Sequence, residues 1–382
     1  MENVIYLEGM ENSMRVLITG AKGFIGSNLV SGLSGREAIM LDEFDKDSDL
    51  SLLKECLSKA DFVCHLAGAN RPEDSAEYIE SNADFTRQLL DTLKECNNPC
   101  PVAYSSSTQA VLDNPYGRSK KAGEEHLLKY AEQTGARVFI YRFPNVFGKW
   151  CRPNYNSVIA TYCYNTAHNL PIVVNNPAAE LKLLYIDDVV EELTCAIRDR
   201  ENRSTGYCEI KTVYTATLGR IAELIRSFKS GRDELAIPDM SDEFIKKLYS
   251  TYLSYLPEQD LSYELKMNTD HRGSFTEFIK QTEIGQLSVN ILKTGVLKGN
   301  HWHNTKTEKF LAVSGRGLVR LRNITSDAII HYYISGEKLE VVEIPAGYAH
   351  NIENLGDTDL VVLIWANECY NNKKPDTYPM EV

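Results

Sequence analysis

The chain changes its hydrophobic rhythm once, and that change bounds the fold more tightly than any single motif. Up to Phe143, short apolar runs alternate with amphipathic stretches. The runs are "RVLITG" (15–20), "EAIMLD" (37–42), "ADFVCHLAG" (60–68), "PVAYSSS" (101–107) and "RVFIYRF" (137–143), and the stretches include "SDLSLLKECLSK" and "GRSKKAGEEHLLKYAEQ". Strands spaced by helices mean βαβ units and a doubly wound parallel sheet. After Arg272 the pattern becomes strand and turn only: "FTEFIK", "GQLSVNILK", "KFLAVSG", "GLVRLRNI", "AIIHYYI", "LEVVEIP", "DLVVLIWA". Many short strands at even spacing predict an antiparallel sandwich or small barrel. Turns at "RPNYN" and "VNNPAAE" mark a small substrate lobe after residue 143. The expected division is an N-terminal extension over 1–13, an α/β domain over 14–240, a connecting segment over 241–262 and an all-β domain over 263–382.

Length agrees with two domains, since 382 residues exceed what a single core usually spans. A net charge of −12 argues against nucleic acid and anionic membranes, both of which need a basic face. No apolar run approaches the ~18 residues of a membrane helix, and the first residues lack a signal-peptide layout. Nine cysteines scattered without zinc spacing read as reduced thiols, so a cytoplasmic location is expected.

The first strand runs into "LITGAKGFIGSNL", which puts Gly20, Gly23 and Gly26 at a strand–helix turn where backbone can approach a pyrophosphate. Asp42 closes the second strand, either as a ribose ligand or as a solvated loop carboxylate. "SSSTQAVLDNPYGRSKKAGEE" sets Tyr116 and Lys120 four apart on one helix face. An ammonium beside a phenol lowers its pKa, and such a pair can protonate a carbonyl oxygen as hydride arrives at its carbon. Ser107, ending the preceding strand, can bond the same oxygen. Cys64 and His65 read as buried structural residues, and Lys121 as solvated.

"GNHWHNTKTEKF" (299–310) carries a second site. His301 and His303 alternate on a strand, Glu308 opens the next one, and "PAGYAHNIEN" adds His350. Three imidazoles and a carboxylate suit Zn, Fe, Mn or Ni. His271 and His331 fit no cluster.

In order, "TGAKGFIG", "HLAG", "YSSS", "YGRSK", "RFPNVFG" and "YIDDVV" resemble the extended short-chain dehydrogenase/reductases that act on nucleotide sugars. The resemblance implies a Rossmann-type sheet with Ser107, Tyr116 and Lys120 catalytic. Its cofactor would contact Gly20, Lys22, Gly23, Phe24, Ile25, Gly26, Asp42, Leu66, Ala67, Tyr116, Lys120, Pro144 and Asn145. The second half resembles the cupins in Gly295, His301, His303, Glu308, Gly315, Pro345, Gly347, His350 and Asn354, with Leu339 where that family often has glycine. That implies a β-barrel with His301, His303, Glu308 and His350 holding Zn²⁺ or another divalent metal. "HRGSFTEF" (271–278) is similar to the start of the cupin-like dTDP-4-keto-6-deoxysugar 3,5-epimerases.

Taken together, the two halves resemble the fused, bifunctional capsular-polysaccharide enzymes of UDP-N-acetyl-L-fucosamine synthesis. The resemblance implies a UDP-linked 4-keto-6-deoxy-N-acetylhexosamine substrate, epimerised at C3 by the cupin and then reduced at C4 with NADPH to UDP-N-acetyl-6-deoxy-L-talosamine. It also implies a homodimer. Asp42 favours NADH, whereas Lys22 and Arg36 can meet the 2′-phosphate of NADPH. Two other readings stay open: a reductase whose cupin is only a metal-stabilised dimerisation module, and a cofactor-sensing binding protein without turnover.

Overall fold

The computed structural model describes residues 13–382 apart from Glu37, Pro72, Glu73, Ser75, Thr205, Asn372 and Lys374. The extension expected over 1–13 lies, save for Ser13, outside the described residues. Two compact units form. The first runs to Arg226 and takes up Ser241–Leu256, and the second comprises Ser227–Met240 and Pro257–Val382.

In the first unit, strands β1 (Met14–Thr19), β2 (Ile39–Phe44), β3 (Phe62–His65), β4 (Val102–Ser107) and β5 (Val138–Phe143) stand in the order β2-β1-β3-β4-β5, all parallel. Tyr207–Cys208 and Arg203–Ser204 extend the edge beyond β5. Alternate residues of β1 feed two cores, as a strand covered on both faces must. Val16 and Ile18 pack with Leu29, Leu33, Val189 and Leu193, while Leu17 packs with Leu53, Leu57, Leu89 and Tyr104. The chain leaves β1 towards β2 and returns to β3 on its other side, so the strand order reverses at β1. Ligands of such sheets bind outside the carboxyl ends of the strands at that point. A three-stranded sheet of Tyr214–Thr217, Glu180–Tyr185 and Asn145–Phe147 builds the smaller lobe.

The stretch 241–262, expected to connect, contains a helix, Glu243–Leu253. Asp242 caps it by accepting from the N–H groups of Phe244 and Ile245, and Ile245, Leu248 and Tyr252 are buried.

The second unit is two antiparallel sheets. One holds Met267–Asp270, Gly273–Gln281, Gly285–Leu292, Leu360–Ala366, Glu308–Ser314 and Val341–Ile344; the other holds Ile329–Ser335, Arg316–Asn323, Tyr348–Asn354, Leu297–Trp302 and Tyr378–Pro379. Their facing sides bury Leu292, Phe310, Val319, Leu321, Ile352, Leu360 and Val362. The α/β sheet followed by an all-β cupin-like unit is the architecture expected from the change of rhythm.

Candidate active site and metal site

The glycine turn is built by close approach. Gly20 has φ +68°, and a Cβ there would lie 2.8 Å from the Ala67 backbone. A Cβ on Gly26 would run into the Gly20 carbonyl. Gly23 caps helix α1 (Phe24–Leu33) without a side chain, so among the described residues no capping side chain competes with an anion for the first N–H groups of α1. Gly20, Gly23, Leu66, Ala67, Gly68 and Ala69 line a cavity of about 1140 Å³. These residues fit a dinucleotide: the turn has no room for a Cβ but leaves the backbone open to a pyrophosphate. Forcing a side chain into a packed position costs about 1–3 kcal/mol. Gly26→Ala is therefore expected to lower the melting temperature and loosen dinucleotide binding. Unchanged values in calorimetry and titration would show that the turn is not this tight.

Asp42 and Arg36 do not join this site. Asp42 sits two residues before the end of β2, and its carboxylate is 2.8 Å from Arg15 Nε. Arg36 lies before β2, at the amino-terminal edge of the sheet, whereas the cavity opens at the carboxyl ends. The groups at the end of β2 are Asp45, Lys46 and Ser48, all lining the cavity. Asp45 accepts from the backbone N–H of Lys22 at 2.8 Å, stapling the glycine turn to β2.

Tyr116 is the second residue of the helix Pro115–Thr134, capped by Asn114 Oδ1 accepting from Gly117 N–H at 2.7 Å. A Cβ on Gly117 would meet the Leu112 carbonyl at 2.5 Å, so glycine lets the helix start against the short loop after β4. Tyr116 lies beside Ser107, whose Oγ accepts from Gln109 N–H at 3.1 Å. One turn on, Lys120 is buried and its Nζ donates to the Ser105 carbonyl at 2.8 Å. Burial pushes Lys120 down to about 8. Burial also pushes Tyr116 up to about 12, against the bond from Ser107. The lowering of Tyr116 expected from its lysine neighbour is therefore reversed: desolvation wins, and the phenol stays a proton donor. Pro144 and Asn145 follow β5, whose last residue pairs with Ser107.

Asn82 escaped the sequence reading. It stands in a π-helical turn, Glu80–Asp84, and donates to the Ala69 carbonyl and Ser119 Oγ. Its Oδ1 is buried without a hydrogen-bond partner among the described residues. The only sequence signal was position, just upstream of a helix facing the one that carries Tyr116 and Lys120. His65 and Cys64 are fully buried, as expected. His65 is held between Thr19 Oγ1 (2.7 Å) and Thr86 Oγ1 (2.8 Å), and burial pushes it down to about 3.

In the second unit His301, His303, Glu308 and His350 converge, each offering a ligand atom within 4.8 Å of the others. His301 and His350 oppose each other in adjacent strands of one sheet, and Glu308 opens a strand of the other. A bulge between Gly299 and His301, with Asn300 at φ +58°, aims His301 at His350. Glu308 Oε2 lies 3.2 Å from His350 Nε2 and 3.5 Å from His303 Nε2. Yet His303 Nε2 and Glu308 Oε2 are buried without hydrogen-bond partners among the described residues. Burial alone would raise the Glu308 carboxyl, but its two histidine neighbours hold it well below the ordinary carboxylate range. Burial, then His350 and His303, pushes His301 down to about 4, which keeps it neutral, the form that could bind a metal. Two buried polar atoms with no partner, in an N₃O donor set, fit a divalent metal.

Comparison with known proteins agrees with both halves. Residues 16–207 match the NAD dependent epimerase/dehydratase family, and residues 268–378 match the polysaccharide biosynthesis C-terminal domain. A UDP-2-acetamido-2,6-beta-L-arabino-hexul-4-ose reductase of Pseudomonas aeruginosa is 42% identical over 97% of this chain and 99% of its own length. The crystal structure of the capsular polysaccharide assembling protein CapF from Staphylococcus aureus superposes with a TM-score of 0.92 at 51% identity, covering 97% of this chain and 100% of that one. The spore coat polysaccharide biosynthesis protein SpsL of Bacillus subtilis is 28% identical over 30% of this chain and 82% of its own length. The chain thus belongs to the NAD dependent epimerase/dehydratase family, extended by a polysaccharide biosynthesis C-terminal domain.

Proposed function

We propose that the chain makes UDP-N-acetyl-6-deoxy-L-talosamine, an intermediate on the way to UDP-N-acetyl-L-fucosamine and a surface polysaccharide. The second unit inverts C3 of a UDP-2-acetamido-2,6-dideoxy-hexos-4-ulose, and the first unit reduces its C4 ketone with NADPH. The observation carrying the reading is the neutral, half-buried Tyr116 beside Ser107 and a buried Lys120.

NADPH supplies the hydride when bound. Tyr116 gives its proton to O4 as charge develops there. Ser107, whose Oγ accepts from Gln109, would turn its hydroxyl hydrogen from Tyr116 to the same oxygen. Lys46 and Ser48, which line the cavity at the end of β2, support NADPH because Asp42 is turned to Arg15. Inversion has to come first, since the ketone acidifies the C3 hydrogen and reduction removes it. Bound at His301, His303, Glu308 and His350, Zn²⁺ would act as a Lewis acid towards the sugar's 4-oxygen.

The exposed edge strand Ile329–Ser335, with Ile329, Ile330 and Tyr333 at the surface, supports a homodimer. The cysteines are free, which supports the cytoplasm. Among the described residues, no helix is long and apolar enough to cross a membrane.

Incubation of the purified chain with the keto-sugar nucleotide and NADPH or NADH, followed by NMR of the products, tests the reading. NADPH oxidation and a C3-inverted 6-deoxy-talo product are expected. A product with C3 unchanged would leave only a C4 reductase, and no oxidation of either cofactor would remove the reading.

A further inference from the structure

We propose that the C-terminal strand is a working part of the metal site, with Asp376 positioning His303 and the Tyr378–Pro379 strand positioning His301. This inference rests on the reading of His301, His303, Glu308 and His350 as metal ligands.

His303 lies just past the end of its strand, where no ladder fixes its ring. Its Nδ1 instead bonds the Asp376 backbone carbonyl. That bond makes Nδ1 the donor and leaves Nε2, the buried atom without a hydrogen-bond partner, as the lone-pair donor to a cation. Asp376 is held in turn by its own carboxylate. It accepts from the N–H groups of Asn304 (3.0 Å), Thr305 (2.7 Å) and Lys306 (2.8 Å), and from Thr305 Oγ1 at 3.1 Å. Three successive N–H groups converging on one carboxylate fix the loop that carries His303 to Glu308.

Two residues on, the tail becomes a strand. His301 pairs with Pro379 and Trp302 with Tyr378, whose rings stack at 4.8 Å. Met380 N–H donates to the Asn300 carbonyl at 2.9 Å, at the bulge that aims His301, and Arg322 Nη2 donates to the Glu381 carbonyl at 2.6 Å. The tail therefore reaches both histidines of the His-x-His pair from the edge of their sheet. The barrel supplies Glu308 and His350 without it.

The test compares wild type, Asp376→Ala, Asp376→Asn and Tyr378→Ala as full-length, Zn²⁺-loaded proteins. Zn²⁺ release to a chelator is followed with a metal indicator, and melting is measured loaded and stripped. Groups that orient a ligand are typically worth about 10–100-fold in metal affinity. Asp376→Ala is expected to lose Zn²⁺ in that range faster than wild type, with Asp376→Asn between the two. Tyr378→Ala, which removes the Trp302 stack and leaves the Asp376 cap, is expected to release Zn²⁺ faster as well, and it decides the matter if Asp376→Ala does not fold. The metal-dependent gain in melting temperature should shrink in each variant. Wild-type release rates in the variants would overturn the inference. So would an equal loss of melting temperature in loaded and stripped forms, because the tail would then hold the barrel and not the ligands. Wild-type protein that takes up no Zn²⁺ would remove the metal site itself, a different failure.

Discussion

Tyr116→Phe is expected to slow NADPH oxidation by about 10²–10⁴-fold, the usual worth of a positioned general acid. Dinucleotide affinity and melting temperature should hardly move. The hydroxyl lies beside Ser107, whereas the ring, 5.7 Å from that of Tyr78, keeps its packing in phenylalanine. The pH profile should separate the two titrating groups. Tyr116, pushed up to about 12, keeps its proton across the physiological range. Lys120, pushed down to about 8, is an ammonium below that pH and neutral above it. Reduction is therefore expected to be flat at neutral pH and to fall as pH rises through about 8. Lys120→Arg should move that limb upwards, since a guanidinium keeps its charge. Reduction at a near wild-type rate in Tyr116→Phe, or a profile flat well beyond that limb, would take these roles away.

The fold was readable because hydrophobic period reports burial directly. A strand covered on both faces, such as "VLIT" within β1, differs from the alternating "GQLSVNIL" of the second unit without any knowledge of tertiary structure. The helix Glu243–Leu253 was not readable in the same way. Its apolar positions Ile245, Leu248 and Tyr252 keep the helical spacing and Asp242 offers a cap, but the run is short and follows a proline-containing stretch, so it reads as a connection. Asp42 shows a different limit. Its distance from Gly20 fits a ribose ligand, but where a strand ends depends on its neighbours. β2 runs in register with β1 to Phe44, which moves the functional end onto Asp45 and Lys46. Tyr116 shows a third: the sequence places a lysine one turn away but does not say how much water is excluded, and that exclusion decides the direction of the shift. The cluster of His301, His303, Glu308 and His350 was legible because a short spacing on a strand fixes direction. The tail was not, since "KPDTYPMEV" carries no periodicity, and its bonds to the loop 304–306 exist only once the barrel closes.

Solvent exchange at C3 is the second large effect, and it separates the two units. In heavy water without NADPH, the full-length, metal-loaded protein is expected to exchange the C3 hydrogen of the keto-sugar for deuterium, seen by NMR. Tyr116→Phe should exchange like wild type, because proton removal at C3 precedes reduction and uses other groups. His350→Ala should not. His350 is buried and central to the cluster, its Nε2 lying 3.2 Å from Glu308 Oε2, and no other described histidine is placed to replace it. Losing one stabilising group for a developing oxyanion costs about 10²–10³-fold, so exchange should fall by at least that much. NADPH oxidation with an already inverted sugar should persist, since Ser107, Tyr116 and Lys120 belong to the other unit. His350→Ala should also lower the melting temperature of the second unit, because metal binding contributes to its stability. Elemental analysis then separates two outcomes that would overturn the assignment. Protein that holds Zn²⁺ and does not exchange has a metal that only braces the barrel, which would leave the first unit as the sole catalyst. Protein that exchanges without any bound metal would instead place the C3 chemistry on side chains other than His301, His303, Glu308 and His350.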